Sequence, residues 1–250
     1  MPVGACAFYR EDMSSDPTIV LVHGAFADAS SWAPVTRRLL DLGYSVLVPA
    51  VPNRGLDSDA AYVRSIVEQI DGRALLVGHS YGGAVITVVG EAENVVGLVY
   101  VSAYAPDVGE SVGQLQAAFP DPELAANLVY TYFPSGGTEP GMDVSVDIDA
   151  FPRVLAVGVP DDVAEVLAVS QRPLAAVAFG DIATSAAWRT RPVWGLVSSK
   201  DRSINPDLQR FVYARARAHR VIEVDAPHLV MQTNPGEVAA LVREAVESVG

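Results

Sequence analysis

Two rhythms of apolar residues alternate along this chain. Thr18-Ile19-Val20-Leu21-Val22 is a short, continuous, β-branched run, the pattern of a strand buried on both faces, as in a parallel sheet. His23-Gly24-Ala25-Phe26 makes a turn. Asp28, Ser30 and Ser31 then offer N-caps to a helix with Trp32, Val35, Leu39 and Leu40 on one face and Gly43 as its stop. Residues 45–48 predict the next strand, closed by Pro49, and the loop 51–56 carries Pro52, Asn53 and Gly55. Asp57 or Ser58 opens a second helix, with Tyr62, Val63, Ile66, Val67 and Ile70 at helical spacing before Gly72. A central strand starts at Ala74, a largely apolar helix runs over 84–89, and Val95–Val101 is a further strand.

Near Pro106 this order stops, and up to about Ala187 the chain is irregular and rich in turns. Within it, Val144, Val146 and Ile148 alternate with Ser145 and Asp147, which predicts a short solvent-facing strand. Pro160-Asp161-Asp162 opens a helix through Val163, Val166 and Leu167. The alternation then resumes: a strand over 192–197, a helix with Leu208, Phe211 and Val212 on one face, a last strand over 221–224, and a final helix from Pro235 with Val238, Leu241, Val242 and Val246 facing inward. Alternating strands and helices imply an α/β fold, an approximately six-stranded, mainly parallel sheet flanked by helices. The expected organisation is a core of residues 1–105 and 188–250, with 106–187 inserted as a cap.

The central strand leads into Gly78-His79-Ser80-Tyr81-Gly82-Gly83, so Gly-x-Ser-x-Gly sits between a strand and a helix. A serine in a strained bend leaves little room for neighbouring Cβ atoms, and glycines let strand and helix pack closely. A serine hydroxyl is a poor nucleophile that needs a base, and the base needs orienting. In an open parallel sheet ligands gather beyond the strand carboxyl ends, which directs attention to the loops there. Asp201 follows the 192–197 strand and His228 follows the 221–224 strand. Asp107 and Asp225 compete with Asp201 as the acid; His219, His79 and His23 compete with His228, His23 being placed to orient the turn after the first strand.

Composition narrows the partners. The chain has 250 residues, is 50% hydrophobic and carries a net charge of −13, with no basic cluster. That charge repels nucleic-acid backbones and anionic membrane surfaces. The single cysteine, Cys6, excludes an intrachain disulfide and stands far from the chemistry-bearing motifs. No run approaches the length of a membrane span and residues 1–17 lack a signal-peptide pattern, so a cytoplasmic location is expected. No His/Cys/Asp spacing marks a metal site, the elbow lacks the Gly-Lys-Ser/Thr of a phosphate loop, and no cofactor is expected.

Val22-His23-Gly24-Ala25, the elbow, Asp201-Arg202-Ser203-Ile204, His228 and Ser102-Ala103-Tyr104-Ala105-Pro106-Asp107 together resemble the α/β-hydrolase superfamily, in particular the branch of plant methyl esterases and hydroxynitrile lyases. The resemblance implies Ser80 as nucleophile, His228 as general base and acid, Asp201 as its orienting carboxylate, and the backbone N–H groups of Ala25 and Tyr81 as oxyanion hole. Phe26, Tyr104 and Phe133, among other aromatics, are candidates to line an apolar pocket under the cap. The implied activity is hydrolysis of a small carboxylic ester, lactone or thioester. C–C cleavage, cyclisation or perhydrolysis on the same triad and non-catalytic binding of a small molecule are the alternatives. The lyases of that branch carry a lysine after the histidine and a threonine where this chain has Leu229 and Gly24, which argues against cyanohydrin cleavage. The oligomeric state, monomer or homodimer, is left open.

Overall fold

Six of the apolar runs pair into one parallel sheet in the computed structural model, which describes residues 16–250; Cys6 lies outside the described residues. The core elements are β1 (Thr18–Val22), α1 (Ala33–Asp41), β2 (Val46–Leu47), α2 (Leu56–Val67), β3 (Ala74–His79), α3 (Tyr81–Val89) and β4 (Val95–Val101). The segment between β4 and the next core strand holds α4 (Val112–Ala117), β5 (Leu128–Phe133), β6 (Gly141–Val146), α5 (Phe151–Val154), α6 (Asp161–Val169), β7 (Leu174–Ala175) and α7 (Val177–Gly180). The core then closes with β8 (Val193–Ser198), α8 (Pro206–Arg215), β9 (Arg220–Val224), α9 (Val230–Thr233) and α10 (Pro235–Val249).

The sheet order is β2-β1-β3-β4-β8-β9. The chain steps outward from β1 to β2 and then crosses back to β3, so the direction of winding reverses between β1 and β3. In open parallel sheets ligands gather at such a reversal, beyond the strand carboxyl ends. Val22 pairs with Gly78 there, which sets the turn after β1 beside the turn after β3. β1, β3 and β8 are buried on both faces apart from the first residue of β1, as their continuous apolar sequences require. α1 packs on α10 and α2 on α3.

Several expected faces shift. The buried stripe of α2 is Leu56, Asp59, Ala60, Val63 and Val67, whereas Tyr62 is exposed. A carboxylate thus occupies a position that hydropathy assigns to the outside. β6 is the middle strand of a small antiparallel sheet, β5-β6-β7, rather than a solvent-facing strand. Val144 and Val146 are buried and Ile148 lies exposed beyond the strand end. α6 buries Ala164 and Ala168 and exposes Val163 and Val166, because small residues let its axis approach neighbouring α5. On α8, Leu208 and Val212 are buried while Phe211 turns outward against the Phe119 ring, 5.8 Å away.

The tightest packing lies at the elbow. A Cβ placed on Gly82 would stand 2.7 Å from the His23 carbonyl oxygen and closer still to that of Val22. Both are backbone atoms of the sheet and cannot move aside. Gly82→Ala is therefore expected to cost about 3 kcal/mol, a fall in Tm on the order of 6–12 °C for a chain of this size. Gly236→Ala, at an open helical position, should leave Tm unchanged or slightly raised. Equal Tm values for the two variants, measured by scanning calorimetry, would contradict this packing account.

Candidate active site

Ser80 stands at the bend between β3 and α3 with φ 55° and ψ −124°, a left-handed conformation rare for a residue with a side chain. Its surroundings over-determine that geometry. Its N–H donates to Val101 O at 3.3 Å, and its carbonyl accepts from Gly83 N at 3.0 Å and Tyr104 N at 3.2 Å. Gly24, in the turn after β1, packs onto the same residue. A Cβ there would meet Ser80 Cβ at 2.7 Å and Oγ at 3.2 Å, so a threonine has no room at position 24.

The turn that carries Gly24 is held from below by His23. Its Nε2 accepts from Val51 N–H at 3.0 Å, so Nδ1 carries the proton and donates to Gly24 O at 2.9 Å. Asn53 Nδ2 reaches the same carbonyl at 3.4 Å. The sequence reading of His23 as the residue that orients this turn agrees with these bonds. The turn presents the Ala25 amide, and the first position of α3 presents the Tyr81 amide; neither has a recorded acceptor among the described residues. Helix-initial amides lack intrahelical partners by geometry, which is what makes them available to an anion.

The loop after β8 and the loop after β9 bring Asp201 and His228 together at 2.7 Å, Oδ2 to Nδ1. Asp201 Oδ1 accepts from the Ser203 and Ile204 amides at 2.7 and 2.9 Å, and its Oδ2 also accepts from Gln209 Nε2 at 2.8 Å. Gln209 is fully buried on α8 and also accepts from Ser198 N at 3.0 Å, which locks the carboxylate to the strand end. With Asp201 on Nδ1, the His228 proton sits there and Nε2 keeps a free lone pair. The histidine is carried to the elbow by His79, the residue before Ser80: His79 Nε2–H donates to His228 O at 3.0 Å, and the two rings lie 4.6 Å apart.

The rival residues lie elsewhere. Asp107 is bound by Arg189 at 2.6 Å, which holds its carboxyl below the usual range. Asp225 is exposed beside Lys200, and His219 is exposed against Trp194. Of the pocket candidates, Tyr104 is buried next to Ser80 with its hydroxyl on Gln116 Oε1 at 2.7 Å. Phe26 is buried with φ 62°, its amide on Arg172 O. Phe133 packs against Gly141 with the Arg54 guanidinium 4.6 Å above its ring. Tyr130 and Tyr132 are exposed, so two of the wider set of aromatics face solvent instead of lining a pocket. Gln209 and Asn53 carry no sequence motif; Gln209 shows only as a lone amide beside Leu208 on a helix face, and Asn53 only as a turn residue in the 51–56 loop. Among the described residues no helix is long and apolar enough to cross a membrane.

Burial lowers the pKa of both His23 and His79, His79 most strongly, with the nearby His228 adding to the effect. Both stay neutral in the fold, whereas in the unfolded chain they take up protons below about pH 6.5. Their contribution to stability is thus complete above that pH and is lost as pH falls toward the folded-state values, by up to about 1.4 kcal/mol per pH unit for each group. Tm measured from pH 7.5 to 5 should fall on the acid side, and His79→Gln, which retains a donor for His228 O, should flatten the fall. Identical slopes in the two proteins would refute the assignment.

Known proteins resemble this chain in sequence and in fold. A carbendazim hydrolyzing esterase of Nocardioides sp. is 32% identical over 124 residues, 44% of this chain, and the match spans about half, 51%, of that relative. A protein of Phoma sp. named probable hydrolase R7 is 24% identical over 249 residues, 91% of this chain and 97% of that one. The crystal structure of polyneuridine aldehyde esterase superposes with a TM-score of 0.79 at 19% identity, over 92% of this chain and 99% of that chain, and so shares the fold. A family model described as alpha/beta hydrolase family matches residues 19–241, from the first strand into the last helix. The chain belongs to the alpha/beta hydrolase family.

Proposed function

We propose that this protein is a serine hydrolase that cleaves small carboxylic esters through an acyl-enzyme on Ser80. The observation that carries the reading is the buried 2.7 Å bond from His228 Nδ1 to Asp201 Oδ2, formed beside a serine held at positive φ. The names of both sequence relatives, one an esterase and one a hydrolase, support the reaction class.

Ser80 Oγ attacks the acyl carbon while its proton passes to His228 Nε2. The charge that develops on the imidazole is stabilised by Asp201, which keeps its own proton-free form. The oxyanion forms between the Ala25 and Tyr81 amides, donors that need no reorganisation because the β1 turn and the start of α3 already fix them. Collapse of the tetrahedral intermediate expels the alcohol, which takes the proton from His228. Water then attacks the acyl-enzyme with His228 as base, returning the carboxylic acid and free Ser80. Residues 106–187 act as a cap that shapes the acyl or alcohol pocket, with Phe26, Tyr104 and Phe133 as its aromatic contributors. The chain supplies every group in this scheme, and the substrate is a neutral or apolar ester rather than a nucleic acid.

Short-chain p-nitrophenyl esters and a fluorophosphonate probe test the reading. Wild type should be labelled and turn over; Ser80→Ala and His228→Ala should lose about 10⁴-fold or more in kcat, and Asp201→Asn about 10⁴-fold. Binding without labelling or turnover would favour the non-catalytic alternative. Labelling without ester turnover would favour another reaction on the same triad.

A further inference from the structure

Asp59 is a carboxylate with no exposed surface, set among Leu56, Ala60, Val63 and Val67 on the inner face of α2. Burying a charge there is costly unless donors compensate it. Three neutral donors oppose that cost, while burial still holds the carboxyl pKa above its ordinary value. Tyr81 Oη–H donates to Oδ2 at 2.8 Å, Arg54 N–H to Oδ1 at 3.0 Å, and Gly55 N–H to Oδ2 at 3.5 Å. Arg54 turns its guanidinium away from this carboxylate, to Asp143 Oδ1 on β6 at 2.7 Å and to Pro173 O at 3.2 Å. Burial and the neighbouring carboxylate raise the Tyr81 pKa far above its ordinary value, so the phenol remains a donor.

Tyr81 is thereby held at both ends. Its backbone follows the strained Ser80 and opens α3, and the far end of its ring is fixed to another helix. Relief of the Ser80 strain would rotate the peptide between residues 80 and 81 and swing the Tyr81 N–H. The phenol–carboxylate bond opposes that rotation. We propose that Asp59 is a positioning residue that aims the Tyr81 amide at the oxyanion through the tyrosine side chain, while its second oxygen fastens the 53–55 loop to which the inserted segment is tied. A cap residue for the start of α2 would need only the Arg54 and Gly55 amides; the Tyr81 bond goes beyond that need. The inference rests on the serine-hydrolase reading and deepens its oxyanion hole.

The test is steady-state kinetics on a p-nitrophenyl ester, normalised by fluorophosphonate titration of Ser80, with affinity for a trifluoromethyl ketone, which forms an oxyanion on binding to Ser80. Tyr81→Phe removes a single buried oxygen and should lower kcat per titrated site about tenfold with KM within about twofold. Ketone affinity should fall by a similar factor. Asp59→Asn should do the same, and the double variant should be no slower than the slower single one. Arg54→Ala, which removes the guanidinium's ties to Asp143, Pro173, Pro52 and the Phe133 ring but keeps the backbone N–H on Asp59, should raise KM and spare kcat. The proposal is overturned if Tyr81→Phe keeps wild-type kcat and ketone affinity, if the two losses multiply, or if activity falls only because fewer sites titrate. Should Asp59→Asn fail to fold, Tyr81→Phe decides alone. If wild type is not labelled at Ser80, the hydrolase reading and this proposal fall together; labelling with unaffected variants removes the proposal only.

Discussion

The structure turns on one unfavourable backbone conformation. Ser80 is held at positive φ between a strand and a helix, and such a residue persists only where its surroundings leave no alternative. Here the surroundings are the carbonyls of Val22 and His23 against Gly82, the Gly24 backbone against the serine side chain, and three backbone hydrogen bonds, one donated to Val101 O and two accepted from Gly83 and Tyr104. The strain is thus held in place by the packing of the β1 turn onto the start of α3.

Around that bend the molecule buries polar groups in an order that follows their tasks. His23 and His79 are neutral and use their rings as fixed spacers, one under the Gly24 turn and one beneath the His228 carbonyl. Asp201 accepts from three donors besides His228, the Ser203 and Ile204 amides and the Gln209 side chain. In an interior where an unpaired polar group costs on the order of 1–3 kcal/mol, such bonds specify one arrangement of the loops.

The segment between β4 and β8 shares one apolar cluster with the sheet core, Val144, Phe151 and Leu174 among its members, and polar ties add to that seam. Arg54 reaches Asp143 and Pro173, Phe26 N–H reaches Arg172 O, and Ala175 N–H reaches Asn53 O. All three start from the loops after β1 and β2, and the first of these carries Gly24 against Ser80.

Much of this was written in the chain itself. Continuous β-branched runs such as 18–22 and 95–101 can only be strands buried on both faces. The glycines at 78, 82 and 83 around a serine make sense only where strand and helix nearly touch, and Asp201 and His228 lie in the post-strand loops of a parallel sheet. What hydropathy could not rank were residues whose burial depends on distant partners. Asp59 reads as a surface charge until Tyr81 and the Arg54 and Gly55 amides surround it, and Gln209 reads as polar helix surface until it bridges Ser198 and Asp201. The valines of α6 and Phe211 failed in the opposite direction, because small residues or neighbouring rings decided which face packed. Local sequence sets strand, helix and turn because backbone sterics and apolar period act over a few residues. The tertiary structure alone decided which polar groups were compensated, since that depends on donors brought from elsewhere in the chain.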